Sequence, residues 1–349
     1  MEPDFSDKTI LVVGGAGFVG SNLVLKLLEE HPREIIIVDN LLSSEEFNVP
    51  VSPQVKFING SINEKAILDS LPENLNYAFH LACYHGNQSS MADPFADHEN
   101  NTLTSLKLFD RLSRISTLEK VVYAAAGCAV AEKTYEDAMP TTEDAPVSLF
   151  HDSPYSISKL IGEMYGNYFW RTHGLPVVKA RFQNVYGPRE ILGAGRWRGT
   201  VHTVWRNVTP TFVWKSLAHE SLPLENEGRS SRDFIFVEDM ARGLMACALR
   251  GVPAEVYNLS SGVETTIKEL ADIINSMTGN PTPPELKPAR DWDRSGKRFG
   301  CTLKSQQELG FTVQVGMQEG ISRQVEWTKE NFNTIQSCMM KHEKLMLDS

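Results

Sequence analysis

The chain has 349 residues, 41% hydrophobic and 22% charged, enough to bury one large domain or two and unlike a disordered or fibrous composition. Lys and Arg total 34 against 44 Asp and Glu, a net charge of -10 that opposes non-specific attraction to nucleic acid or an anionic membrane, so any anionic ligand must be held by local basic groups. The 5 cysteines are scattered and free of CxxC spacing, which argues against a disulfide framework or a zinc site; with a polar, acidic start and no apolar run near the ~20 residues of a membrane span, a cytoplasmic protein without a structural metal is expected.

Thr9 to Val13 is an apolar run of strand type. It leads at once into Gly14, Gly15, Ala16, Gly17, Phe18, Val19 and Gly20, then an amphipathic stretch through Glu30. Strand, glycine turn and helix in this order suit a dinucleotide, because the glycines let backbone approach a pyrophosphate and the helix N-terminus offers it free N–H groups. The next apolar run, Ile35 to Val38, ends in Asp39, where such a site places a carboxylate for the adenosine ribose hydroxyls. Asp39 would repel a ribose 2'-phosphate and no Arg follows closely, so NAD is expected rather than NADP.

Further apolar runs at Val55 to Ile58, Tyr77 to Leu81, Lys120 to Ala126 and Val177 to Phe182 alternate with helical stretches near 64–71, 95–114 and 154–172. This alternation predicts an α/β fold, a Rossmann-type doubly wound parallel sheet with its ligand at the carboxyl ends of the strands. Within the last stretch, Tyr155 and Lys159 are one helical turn apart and share a face. An ammonium beside a phenol favours the phenolate, which makes a base for an alcohol proton. Taken alone, the pair fits a packed ring and a solvated ammonium as well. Beyond about Gly187 the texture changes to a Gly- and Arg-rich segment, Gly193 to Gly199, mixed short elements, a Pro-rich patch at 281–288 and a charged run from Arg290 to Arg298. The expected division is a dinucleotide domain over 1–186 and a smaller mixed α/β substrate lobe over 187–349, with some segments returning to the first. From about Gln318 the chain reads as one helix with a Met-rich tail.

Together these motifs resemble the extended short-chain dehydrogenase/reductase family, and within it the NAD-dependent nucleotide-sugar epimerases and dehydratases. The residues carrying the resemblance are the three glycines and Asp39; His80, Leu81 and Ala82; Asn100 and Asn101; Tyr155 and Lys159; Arg181 to Pro188 with Asn184; and Gly228, Arg232 to Phe234 and Val237 to Asp239. The resemblance implies an enzyme with NAD as cofactor. Its contacts would be Gly14, Gly17, Phe18, Val19, Gly20, Asp39, Asn40, Ser61, Ile62, Leu81 and Ala82, with Asn101 tethering the active-site helix. It gives Asn184, Arg232 and Arg290 to the nucleotide diphosphate or sugar, the arginines being planar bidentate donors suited to a diphosphate. The Gly193 to Gly199 segment reads equally as a substrate lid, with Arg196, Trp197 and Arg198 facing a diphosphate or an acidic sugar, and as a solvated loop. Tyr155 would take a sugar hydroxyl proton while Lys159 lowers its pKa and holds the nicotinamide ribose. A homodimer through the helices at 95–114 and 154–172 is implied in the same way.

One departure bears on mechanism. Where the family usually carries a Ser or Thr that shares the sugar O4 proton with the tyrosine, this chain has Ala126. Cys128 follows, and a Cys in an alanine-rich strand end is usually a small buried hydrophobe; the run is also similar to those of GDP-mannose 3,5-epimerases and GDP-fucose synthases, where a Cys is acid or base. Gly127 and Cys128 lack the Asp and Glu of ordinary 4,6-dehydratases. Ser61 stands for a usual adenine-contacting Asp, and Gln183 for a usual aromatic. The leading expectation is a 4-epimerase of a UDP-sugar. Its rivals are a 3,5-epimerase or unusual dehydratase using Cys128, and a non-catalytic NAD-binding regulator that kept the fold.

Overall fold

The computed structural model describes residues 4–127, 134, 136–290 and 296–347. Cys128, on which one rival mechanism depends, lies outside them. Among the described residues, strands β1 (Thr9–Val13), β2 (Glu34–Asp39), β3 (Val55–Asn59), β4 (Tyr77–His80), β5 (Lys120–Ala126) and β6 (Val177–Phe182) are built from the apolar runs. Four further strands follow in the chain, β7 (Asn184–Tyr186), β8 (Pro223–Glu225), β9 (Ser231–Phe236) and β10 (Val256–Leu259). The large sheet has the order β10-β6-β5-β4-β1-β2-β3 and is parallel throughout. β1 lies between β2 and β4, so the chain reverses its direction of travel across the sheet there and leaves a crevice above their carboxyl ends.

Strands with helices on both faces have no solvent side. β1 and β4 are buried along their whole length, which is why they read as unbroken apolar runs rather than alternating ones. One face packs Ile10, Val12, Ile35 and Phe79 against Leu23 and Leu27 of helix Phe18–Glu29 and Met240 and Leu244 of helix Val237–Arg250. The other packs Leu11, Ile36, Val121 and Tyr123 against Leu108, Phe109 and Phe169. Helix Val237–Arg250 and β10 thus belong to the large sheet although they come late in the chain.

The smaller lobe has its own core of Tyr186, Phe234, Phe236, Leu270, Ile274 and Ile321. β7 already belongs to it: it pairs in parallel with β9, which also takes the antiparallel strand β11 (Glu264–Thr266). A parallel pair of β8 with β12 (Glu285–Lys287) completes it. The motif acids of this region are structural. Asp233 accepts from the Ser261, Gly262 and Gly300 N–H groups, and Asp239 from those of Gln314 and Val315.

One expected helix is broken and another is continuous but locally widened. The single C-terminal helix is three, Met317–Glu330, Phe332–Met340 and Glu343–Leu347. At the first break Asn331 Nδ2 donates to the Trp327 carbonyl, 2.9 Å, a local bond that competes with the helix ladder. The helix expected over 95–114 runs as Pro94–Asp97, a π-helical turn His98–Leu103 and Thr104–Leu112. There Thr104 Oγ1 and Ser105 Oγ donate to the Asn100 and Asn101 carbonyls at 2.7 and 2.6 Å, drawing acceptors away from the backbone ladder. Among the described residues no helix is long and apolar enough to cross a membrane.

Candidate active site

A cavity of about 710 Å³ opens above the carboxyl ends of the large sheet and runs into the smaller lobe. At one end is the turn after β1. Gly14 has φ +88°, and a Cβ there would lie 2.5 Å from the Ala82 nitrogen; a Cβ on Gly20 would lie 2.1 Å from the Gly14 carbonyl oxygen. Only glycine allows the helix start, the turn and the end of β4 to close up this way. Gly14, Gly17, Phe18, Val19 and Gly20 all line the cavity, as do Asn40, Ser61, Ile62, Leu81 and Ala82. Asp39 joins them at the end of β2. Its carboxylate accepts from Ala16 N at 3.1 Å, Leu41 N at 2.9 Å and Ser44 Oγ at 3.0 Å, while burial pushes its pKa up against those bonds.

Midway stand Tyr155 and Lys159, on helix Pro154–His173. The helix starts where Ser153 caps the Ser156 N–H and Pro154 occupies the first turn; it stops at Gly174 in the left-handed region, φ 69°. It lies tight on β5 because Gly162 has no side chain: a Cβ there would sit 2.0 Å from the Tyr123 hydroxyl oxygen. That contact lets Lys159, buried to 4% exposure, donate from Nζ to the Ala124 carbonyl at 2.9 Å, with Nζ 5.8 Å from the centre of the Tyr155 ring. Ala124, Ala125 and Ala126 line the cavity beside them. β5 ends at Ala126, and the space next to Gly127 is filled by the Gln183 side chain.

Asn101 lies behind this wall. Its Oδ1 accepts from Tyr84 N at 2.7 Å and its Nδ2 donates to Asp97 at 2.8 Å and Ser158 Oγ at 3.2 Å, tying the loop after β4 to helix Pro154–His173. Burial pushes the Asp97 carboxyl up, and its bonds to Ser158 and Asn101 oppose the shift. His80 is buried close by and pushed down to about 3 by burial and then by the Lys159 charge, so it is neutral at physiological pH.

The far end lies in the smaller lobe. Asn184, Arg232 and Arg290 line it. Arg232 donates to the Ser231 and Gly296 carbonyls at 2.6 and 2.7 Å, and Arg290 pairs with Glu225 at 3.2 Å. Arg196 is set apart from the others: it is exposed, donating to the Asn40 carbonyl at 3.2 Å on the outside of the loop after β2. Arg198 is buried and holds the His85 carbonyl at 2.8 Å. The motif residue Arg181 points away from the cavity, in a buried bidentate pair with Glu163 at 2.9 Å for both bonds.

Sequence reasoning did not single out His85, Glu190, Arg206 or Asn207, all of which line the cavity. His85 meets the Tyr155 ring edge to face, 5.7 Å between centres, and its Nε2 is 3.1 Å from Asn207 Oδ1. Asn207 Nδ2 donates in turn to Glu190, whose carboxyl burial pushes up to about 7. No local motif announces this set, because its members are far apart in the chain.

The arrangement can be compared with known proteins. The profile of the NAD dependent epimerase/dehydratase family matches residues 10–260. The chain belongs to that family. It is similar to the Bordetella bronchiseptica enzyme WbmF, solved in complex with NAD+ and UDP, at 54% identity and TM-score 0.90, with 99% of each chain covered. It is also similar to the UDP-glucose 4-epimerase of Mycolicibacterium smegmatis, 30% identical over 91% of this chain and 97% of the relative. The Thermotoga maritima UDP-glucose 4-epimerase, solved with UDP-glucose, is 30% identical with TM-score 0.83, covering 93% of this chain and 99% of that one.

Membership makes the chain an NAD-dependent enzyme of the extended short-chain dehydrogenase/reductase type. The residues present fit the cofactor. A cradle that any Cβ at Gly14 or Gly20 would fill, and a carboxylate at the end of β2, are the features a pyrophosphate and a ribose diol require.

Proposed function

We propose that the chain is a 4-epimerase of a nucleotide-diphosphate sugar, with UDP as the nucleotide, acting through a transient 4-keto sugar. The observation that carries this reading is the course of the cavity. Tyr155 and Lys159 lie between the glycine turn and Asp39 at one end and Asn184, Arg232 and Arg290 at the other, so a sugar spanning from a diphosphate reaches the phenol. NAD, when bound, would supply the acceptor for the C4 hydride and, once reduced, the donor that returns it to the keto sugar. Tyr155 takes the O4 proton, with the Lys159 ammonium one turn away and 5.8 Å from its ring centre, and returns it once the keto sugar presents its other face. Arg232 and Arg290 bring positive charge to the diphosphate end, meeting the need that a net charge of -10 creates for local cations. The UDP and UDP-glucose complexes of similar enzymes support the nucleotide.

The test is turnover of UDP-hexoses in deuterium oxide. A 4-epimerase leaves C3, C5 and C6 of the sugar free of solvent deuterium. Incorporation at C3 or C5 that Cys128→Ser suppresses would replace this reading with proton chemistry at the neighbouring carbons.

A homodimer belongs to the same proposal. Ile157, Met164 and Tyr168 form an exposed stripe on the catalytic helix at 45%, 55% and 52%, with Phe95 at 82% on the helix before it. Sedimentation should give a dimer that charged substitutions on this stripe dissociate. A cytoplasmic location is proposed with it, and Cys83, Cys247, Cys301 and Cys338, all free thiols, suit a reducing compartment.

A further inference from the structure

His85 stands in the loop after β4, on the wall that Tyr155 also forms. Two features hold it there. Its carbonyl accepts from the buried Arg198, 2.8 Å, and the next residue, Gly86, takes φ 105°, a backbone conformation that turns the chain sharply just past the imidazole. Its ring orientation is determined by what lies behind it. An amide oxygen can only accept, so Asn207 Oδ1 at 3.1 Å places the imidazole proton on Nε2. Above about pH 7, where the Glu190 carboxyl is ionised and can only accept, the amide cannot turn over, because its NH2 group donates to that carboxylate. Glu190 is buried to 4% exposure, and its Oε2 has no partner among the described residues, so Asn207 is the hydrogen-bond partner the carboxyl has.

The consequence is an imidazole with a defined lone pair on Nδ1, in the wall of the cavity and packed on the catalytic tyrosine. Burial pushes its pKa down to about 4, so it stays an acceptor across the physiological range. At the neighbouring strand end the hydroxyl that usually contacts the sugar is replaced by the Ala126 methyl, which neither donates nor accepts.

We propose that His85 is the sugar-orienting residue of this site: its Nδ1 accepts a hydrogen bond from a sugar hydroxyl beside the carbon that reacts at Tyr155, and Glu190, acting through Asn207, is the positioning residue that fixes the tautomer. The inference rests on the reading of the cavity as a nucleotide-sugar site. It concerns the sugar alone, so the nucleotide serves as an internal control.

The experiment is calorimetric titration of the full-length, NAD-loaded protein with UDP and with UDP-glucose, UDP-galactose and UDP-N-acetylglucosamine, in wild type and four variants. For whichever sugar nucleotide the wild type binds tightest, His85→Leu should weaken binding about tenfold, while UDP changes less than about twofold. His85→Gln, whose amide oxygen can accept, should come back to within about threefold of wild type. Glu190→Leu should behave like His85→Leu, and Glu190→Gln, which still accepts from Asn207, like wild type; this pattern separates a positioning role from loss of packing. Equal weakening of UDP and sugar nucleotide, an unchanged sugar nucleotide, or a wild type that binds none of the three more tightly than UDP would each overturn the proposal. Sugar-selective loss in an enzyme that epimerises none of the three at C4 would leave the role of His85 standing and count against the 4-epimerase. Epimerisation at C4 with sugar binding indifferent to His85 would do the reverse.

Discussion

The buried carboxyl of Glu190 makes a prediction about stability that can be worked through. In the folded chain its pKa is pushed up to about 7 from the ordinary 4.5, burial being the largest cause and the bond from Asn207 the main opposing one. The sign follows from proton counting. Between about pH 4.5 and about 7 the folded chain keeps a proton that the unfolded chain has released, so stability falls as pH rises through this window and levels off above it. At about 1.4 kcal/mol for each factor of ten, the whole window is worth about 3 kcal/mol, and the part from about pH 5.5 to about pH 8 about 2 kcal/mol. Glu190→Gln keeps the shape and the acceptor for Asn207 but cannot ionise. Urea unfolding of both proteins at several pH values should therefore show the variant gaining on wild type by about 2 kcal/mol between those limits. Other titrating groups, such as His80, are common to both and cancel in the difference, and His85, which interacts with Glu190, is pushed down to about 4, below the window. A difference that stays flat with pH would mean that the carboxyl ionises as it does in water and would refute the burial argument.

Tyr155→Phe should lower kcat by about a hundredfold or more while leaving NAD affinity within about twofold, measured by steady-state assay and cofactor titration. Gly14→Ala, which puts a Cβ 2.5 Å from the Ala82 nitrogen at φ +88°, should cost about 2 kcal/mol or more and abolish NAD binding; a folded variant with normal affinity would contradict the cradle. Asp39→Ser should narrow the preference for NAD over NADP by about tenfold in paired titrations, since it removes the carboxylate that a 2'-phosphate would face. Arg181→Met leaves Glu163 buried and unpaired and should destabilise by about 3 kcal/mol or more, with Arg181→Met combined with Glu163→Leu recovering most of the loss on denaturant titration.

The glycine turn, the strand runs and the Tyr155 to Lys159 pair were legible because each is a local pattern with a local cause. A fully buried parallel strand must be apolar throughout; a backbone that approaches a phosphate must lack side chains; two residues four apart on a helix must share a face. The C-terminal helix was misread for a related reason. Its periodicity is sound, but at Asn331 the backbone leaves helical geometry where the side chain also bonds the Trp327 carbonyl, and no hydrophobic pattern records such a bond.

What the sequence by itself determined is the family and the cofactor, since these rest on short motifs in a required order. The tertiary structure decided what else lines the cavity beside Tyr155. His85, Glu190 and Asn207 come from three separate loops and become one hydrogen-bonded set only when the smaller lobe closes over the carboxyl end of the sheet, so neither their partnership nor the burial that shifts Glu190 exists until the chain has folded. The same closure leaves Arg196 outside the cavity and brings Arg206 to its wall, a distinction between nearby arginines that composition and spacing could not make.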